Sequence, residues 1–98
     1  MNLYQVKETS VVKSCAISCE KYSLNYELLK TDIETSEPRV ACELYSILVV
    51  KTESCGDSEY EFVYDVTRDR DTAEAYLLML CKGEVTPITV RDVLYDCM

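Results

Sequence analysis

The chain has 98 residues, which is the usual size of one domain, and 48% of them are apolar, which is typical of a globular protein. Acidic residues outnumber basic ones by 18 to 10, so the net charge is −8. The basic residues form no cluster, and this charge balance argues against binding to nucleic acid or to an anionic membrane surface. A basic protein partner is compatible with it.

The start of the chain lacks the basic and apolar segments of a signal peptide. No run of about 20 apolar residues occurs, as a membrane-spanning helix would require. We therefore expect a cytoplasmic protein that has no contact with the membrane.

Residues 1–21 have a mixed pattern that fits either an edge strand or a loosely held N-terminal arm. A single domain is predicted over residues 22–98. Residues 22–28 alternate apolar and polar side chains, as a half-buried strand does. The polar residues 31–38 end in a proline and indicate a loop.

Residues 39–51 form the most apolar predicted strand, with apolar side chains on both faces, and such a strand is usually central in its sheet. After a turn at residues 52–58, residues 59–66 alternate again. In that third strand, four apolar side chains are expected to point to the same side: Tyr60, Phe62, Tyr64 and Val66.

The apolar period then changes from 2 to 3.6, which indicates helices. The first helix begins near residues 67–71, where Asp71 and Glu74 resemble a capping box, and ends at Lys82 and Gly83. A second, short helix follows Thr89. The sequence thus predicts an α+β fold: an antiparallel meander of three strands, or four with the N-terminal segment, followed by two C-terminal helices packed on one sheet face.

Six cysteines and no histidine limit the chemistry. Without a signal peptide, six reduced thiols are the leading expectation. The alternative is a metal or redox site that begins with Cys15 and Cys19, whose spacing suits one half of a zinc site, although no second close pair follows. Catalysis by a Ser-His-Asp or Cys-His system is excluded, and no Gly-rich phosphate loop exists. We expect no enzyme and no cofactor.

The second face of the central strand and the free side of the first helix carry more apolar surface than a two-layer domain can easily hide. These residues are Tyr45, Ile47, Val49, Leu78 and Met79. Either the N-terminal segment covers them, or they form an interface with a protein partner or a second copy of the chain. Two acids of the last helix, Asp92 and Asp96, are expected to lie on its solvated side.

Residues 84–96, EVTPITVRDVLYD, resemble the closing motif of a family of small uncharacterised proteins from clostridial Firmicutes. The matching residues are Val85, Pro87, Val90, Asp92, Val93 and Asp96. Thr89 stands where that family has His, so no role of that His is carried over. The resemblance implies a bacterial cytoplasmic protein without an assigned activity. The leading functional hypothesis is therefore a small non-catalytic interaction or regulatory protein.

Overall fold

A computed structural model describes residues 4–36 and 39–97, with side chains for residues 9–34 and 42–97. Four antiparallel strands form one sheet in the order β1-β2-β3-β4, and two helices follow them. The predicted α+β fold is confirmed, with four strands. The elements are β1 (Tyr4–Ser18), β2 (Tyr22–Ser36), β3 (Arg39–Glu53), β4 (Ser58–Thr67), α1 (Arg70–Lys82) and α2 (Val90–Cys97).

The N-terminal segment is an edge strand of the sheet, so it does not lie across either face. β1 pairs with β2 from Tyr4 to Ser18, and register shifts occur at two places along it. The second shift inserts Val12, which packs against the core. Residues 1–3 of the predicted N-terminal segment and Met98 of the predicted domain lie outside the described residues.

β2 is longer than the sequence predicts. It pairs with β3 without a register shift from Tyr22 opposite Glu53 to Ser36 opposite Arg39. The predicted loop at residues 31–38 is therefore wrong as far as Ser36, and its last two residues lie outside the described part of the chain. The polar residues of this stretch, such as Asp32, belong to a solvated face of a strand and not to a turn.

The core lies between one face of the sheet, here called the helix side, and the two helices. Because paired residues of antiparallel strands point to the same face, Tyr26 of β2 and Val49 of β3 lie side by side beneath α1. The buried cluster is made of Leu24, Tyr26, Leu28, Tyr45, Ile47, Val49, Val63, Val66, Ala73, Leu77, Leu80, Cys81, Val90 and Leu94.

This core overturns one expectation about the central strand. Tyr45, Ile47 and Val49 are buried, with exposures of at most 1%. Their predicted place on an uncovered face is wrong. Both faces of β3 are apolar, and the pattern does not tell which face the helices cover. The helices cover the side with the larger side chains, and the other side is left open.

A bulge in β4 reverses part of its alternation. Val63 pairs with Ile47 and Thr67 pairs with Tyr45, so three residues of β4 face the single residue Ser46. Asp65 has a φ of 50°, and its backbone N–H donates to Ser46 Oγ at 3.1 Å. Val66 therefore turns to the core and does not share a face with the strand's aromatic residues.

Asp69 is the N-cap of α1, two residues before the predicted Asp71. Its Oδ2 accepts hydrogen bonds from the Thr72 backbone N–H at 2.9 Å and from the Thr72 hydroxyl at 2.6 Å. These bonds stabilise the carboxylate and lower the pKa of Asp69. At the other end of α1, the Gly83 N–H donates to the Met79 carbonyl at 3.0 Å.

α2 is anchored to β4 by Arg91. Its Nη2 lies 2.9 Å from Glu61 Oε1 and donates to the Phe62 carbonyl at 3.2 Å. Asp92 and Asp96 are exposed on the free side of α2, as the pattern predicts. Cys97 is also exposed, with its Sγ 3.5 Å from Met79 Sδ.

Two buried tyrosines tie their polar ends to the fold. The Tyr26 hydroxyl donates to the Val85 carbonyl, and the Tyr45 hydroxyl donates to Glu43 Oε2, each at 2.7 Å. Burial raises the pKa of each tyrosine from 10.0 to about 12, and the nearby carboxylates of Glu84 and Glu43, respectively, act in the same direction.

Alkaline pH should therefore destabilise the protein in a defined range. The unfolded chain ionises its tyrosines near pH 10, whereas Tyr26 and Tyr45 in the folded chain keep their protons to about pH 12. Their contribution is complete below pH 10 and is lost as pH rises from 10 to 12. Urea unfolding across this range should show the loss, and Tyr26→Phe should reduce its slope. A Tyr26→Phe variant with the wild-type slope would contradict this.

Two neighbouring leucines of α1 test the placement of the core. Leu77 is 1% exposed and Leu78 is 52% exposed. We expect Leu77→Ala to lower the free energy of unfolding by about 2–5 kcal/mol, because it leaves a cavity. Leu78→Ala is the matched control and should change it by no more than about 0.5 kcal/mol. Equal effects in urea unfolding would show that α1 is rotated from this placement.

Candidate interaction surface

The face of the sheet opposite the helices, here called the outer face, has no layer packed on it in the described part of the chain. The strand register decides which side chains it carries. Its described strand residues are Thr9, Val11, Ser14, Ala16, Ser18, Ser23, Asn25, Glu27, Leu29, Thr31, Ile33, Cys42, Leu44, Ser46, Leu48, Val50, Thr52, Ser58, Tyr60 and Phe62.

Charge is divided unequally between the two faces of the sheet. Among those outer-face residues, only Glu27 is charged. The helix side of the same strands, within the described side chains, carries a charged set that includes Lys13, Lys30, Asp32, Glu43, Lys51, Glu53, Glu59 and Glu61. In a chain with 29% charged residues, this division sets the outer face apart.

The part of the helix side that extends beyond α1 can be compared with the outer face, because neither is covered by α1. A helix of 13 residues spans about 20 Å, whereas a strand of 15 residues spans about 50 Å, so the strands extend past α1. There, Lys30 lies 3.8 Å from both Asp32 and Glu43 in half-exposed ion pairs. Where this sheet meets water on its helix side, it therefore uses charged side chains, and the outer face does not.

An apolar patch crosses the outer face diagonally. In one row Leu48 lies between Glu27 and Phe62, and in the next row Val50 lies between Asn25 and Tyr60. The patch consists of Val11, Leu29, Leu44, Leu48, Val50, Tyr60 and Phe62, and Ile33 lies beside it as a buried residue, at 6% exposure. Its widest-open members are Val11, at 53% exposure, and Tyr60, at 75%.

The rim of the patch is more polar than its centre. A shallow depression at the rim is lined by Ile33, Leu44, Asp65 and Arg68. Asp65 lies near the end of β4, and Arg68 follows that strand. At the aromatic end, the rings of Phe62 and Tyr64 meet edge to face with their centroids 4.5 Å apart. A weakly charged apolar centre with a polar rim is the usual composition of a protein-binding surface.

The residues predicted for an interface do not form one surface. Tyr45, Ile47 and Val49 are in the core. Leu78 is exposed on α1, and Met79 is half-buried next to Cys97. The outer face was not predicted, because the interface was assigned to the opposite side of β3. The alternation that puts Leu48 and Phe62 on one face of their strands is the signal in the sequence.

Cys15 and Cys81 form a disulfide between β1 and α1, with their Cα atoms 6.6 Å apart. The expectation of six reduced thiols is therefore wrong for these two residues. Cys15 lies on the helix side of β1 and Cys81 lies on the buried stripe of α1, so the docking of the helix brings them together. Spacing along the chain cannot predict a pair that is separated by 66 residues.

Cys15 and Cys19 do not form a common site. Cys15 is bonded to Cys81, whereas Cys19 is exposed at the turn after β1. The Cys19 thiol donates to Glu84 Oε1 at 3.6 Å. The Tyr22 hydroxyl also interacts with Cys19, and this contact is the main cause that raises the pKa of Tyr22.

A second cysteine is part of a small cluster in the turn between β3 and β4. Ligand atoms of Glu53, Cys55 and Asp57 lie within 4.8 Å of one another. The spacing of these side chains at every second residue is the sequence signal for the cluster. Cys55 and Asp57 are exposed and Gly56 has a φ of 104°. An exposed group of this kind is common in turns, and we assign no metal to it.

The chain belongs to DUF6514, a family of unknown function, whose model matches residues 5–98. The predicted resemblance to an uncharacterised family is thus confirmed, while its clostridial source stays a prediction. No curated protein and no solved structure matches the chain. Among the described residues, neither helix has the length and apolar character needed to cross a membrane.

The disulfide predicts the number of reactive thiols. Protein that is unfolded without reductant should take up alkylating agent at Cys19, Cys42, Cys55 and Cys97, and its non-reducing digest should contain a peptide pair joined through Cys15 and Cys81. Reduced protein should be modified at all six cysteines. Intact-mass and peptide mass spectrometry would measure both.

The same bond should contribute to stability. In the chain-entropy model, a loop of this length stabilises the folded state by about 4 kcal/mol. We expect Cys81→Ser to lower the free energy of unfolding by a large part of this amount. Cys97→Ser removes a free, exposed thiol and is the matched control. Equal small effects of the two variants would contradict a bond between Cys15 and Cys81.

Proposed function

We propose that this protein is a small, non-catalytic interaction module that binds protein through the outer face of its sheet. The observation that carries the proposal is the division of charge between the two faces of one sheet. Beyond the helices, the helix side has ion pairs such as Lys30 with Asp32, whereas the described paired positions of the outer face have one charge, Glu27, and Asp65 and Arg68 lie at its rim.

The energetics of solvation favour this interpretation. Burying apolar surface is worth about 25 cal/mol per Å², so leaving the patch around Leu48 and Phe62 in water forgoes a substantial gain. Monomeric soluble proteins rarely expose contiguous apolar patches larger than a few hundred Å². Tyr60 and Tyr64 add exposed aromatic rings of the kind that is enriched in binding surfaces.

The other parts of the proposal follow from composition. A chain without histidine has few groups for acid–base chemistry near neutral pH, which favours binding over catalysis. The net charge of −8 disfavours nucleic acid and anionic lipid as ligands. A bacterial, cytoplasmic setting completes the proposal, on the basis of the family resemblance.

A second candidate function is a thiol redox protein. The observation that favours it is the Cys15–Cys81 disulfide together with the exposed thiol of Cys19. Equilibration with a dithiol buffer would test it. A redox function requires that the bond opens and closes while the fold is kept, whereas a structural bond opens only when the protein unfolds.

The outer face contains its own reporter for a binding experiment. Cys42 is a half-exposed free thiol opposite Ile33 on this face, and Cys55 is an exposed free thiol in a distant turn. A maleimide pulse, followed by peptide mass spectrometry, gives the labelling ratio of Cys42 to Cys55. The ratio is measured in intact cells that express the protein and in dilute purified protein.

We expect the Cys42 to Cys55 ratio to be several-fold lower in cells than in dilute protein, because a bound partner covers the outer face. Leu48→Gln should restore the ratio in cells, since it puts a polar amide into the patch without adding charge beside the thiol. Leu78→Gln, on the helix surface, is the matched control. A ratio that is the same in cells, in dilute protein and in both variants would contradict the proposal.

A further inference from the structure

On the premise that the outer face is a binding surface, we infer that its occupant is a second copy of this chain, packed face to face as a two-sheet sandwich. Two sheets in such a sandwich lie about 10 Å apart and interdigitate the side chains of their inner faces. The apolar patch around Leu48 would then form a second core, which two copies share.

The distribution of charge selects this occupant. Two copies that each carry −8 repel each other over most of their surfaces. The outer face, where Glu27 is the one charged residue among the described paired strand positions and Asp65 and Arg68 of opposite sign lie at the rim, is the surface on which two such chains meet with least repulsion. A basic partner would instead be attracted to acids on other surfaces, such as Glu59, Asp92 and Asp96.

The size of the face is sufficient for a dimer. Four strands about 4.8 Å apart, over about ten residues that rise about 3.3 Å each, cover roughly 600 Å². Two copies would bury roughly 1,200 Å², which lies at the lower end of specific protein interfaces. Twofold symmetry also requires a self-complementary surface, and an apolar patch with few charges meets that requirement without a matched set of opposite charges.

Glu27 lies at a position where its carboxylate can stay hydrated in such a dimer. It is flanked by Ser14 on β1 and lies one row from Asn25, toward the turn end of β1 and β2. The apolar residues lie on the other side of it, toward Leu48 and Phe62. The carboxylate therefore belongs to the polar corner of the outer face, where water can reach it at the edge of a sandwich.

The test is sedimentation equilibrium of the purified chain over a wide dilution series. We expect wild-type protein to reach twice the chain mass of 11.2 kDa. Tyr60→Glu should raise the dissociation constant about tenfold or more, because it places a carboxylate inside the shared core. Tyr60 is 75% exposed in one chain, so this variant should fold normally, which circular dichroism checks. Leu48→Glu is a second variant at the centre of the patch.

Leu78→Glu is the matched control, since Leu78 is exposed on the helix surface and the inference predicts an unchanged dimer. Salt gives an independent readout. Added sodium chloride should leave the dissociation constant unchanged or lower it, because it screens repulsion between two acidic chains. Dissociation by salt would indicate an interface of opposite charges and would overturn the inference.

The remaining outcomes separate this inference from the proposed function. A dimer lost in Leu78→Glu and kept in Tyr60→Glu would place the interface on the helices and overturn both. A monomer at all concentrations, with Cys42 still protected in cells, would overturn the second copy and leave a different protein as occupant of the outer face. A monomer whose Cys42 is never protected would overturn both.

Discussion

The unbroken pairing of β2 with β3 is the constraint on which the rest of this structure depends. Across this pair, from Tyr22 opposite Glu53 to Ser36 opposite Arg39, no residue is inserted or skipped. Since side chains alternate between faces, one register fixes both surfaces of the sheet at once. A shift of β3 by one residue against β2 would move Ile47 out of the core and bring Leu48 beneath the helices.

The adjustments to this frame are confined to the outer strands. Val12 is an inserted residue of β1 and packs against the core. The bulge in β4 turns Val66 inward. Ser46 takes part in the second adjustment, because its hydroxyl accepts the N–H of Asp65 where the ladder is interrupted. The central strands thus determine which residues lie on each face of the sheet. The irregularities of the edge strands let additional residues pack against the core.

The alternation and the period change were enough to predict the order of strands and helices, because both signals are local. Which face of β3 is buried does not follow from local sequence. The face with Tyr45, Ile47 and Val49 is as apolar as the face with Leu44, Leu48 and Val50, and the docked helices alone distinguish the two. The end of β2 was missed because residues such as Asp32 look like a turn until their partners across the strand are known. The Cys15–Cys81 pair needed the packing of α1 on β1, which spacing does not encode.

The disulfide also changes the connectivity of the molecule. The bond closes a covalent ring from Cys15 to Cys81 that contains the turns of the meander and the entry to α1. A protease that cuts once inside this ring, for example near Gly56, opens the backbone but releases no fragment. The two pieces stay joined through one bond between the first strand and the first helix. Only a cut outside the ring, such as in the link before α2, can separate a segment from the rest.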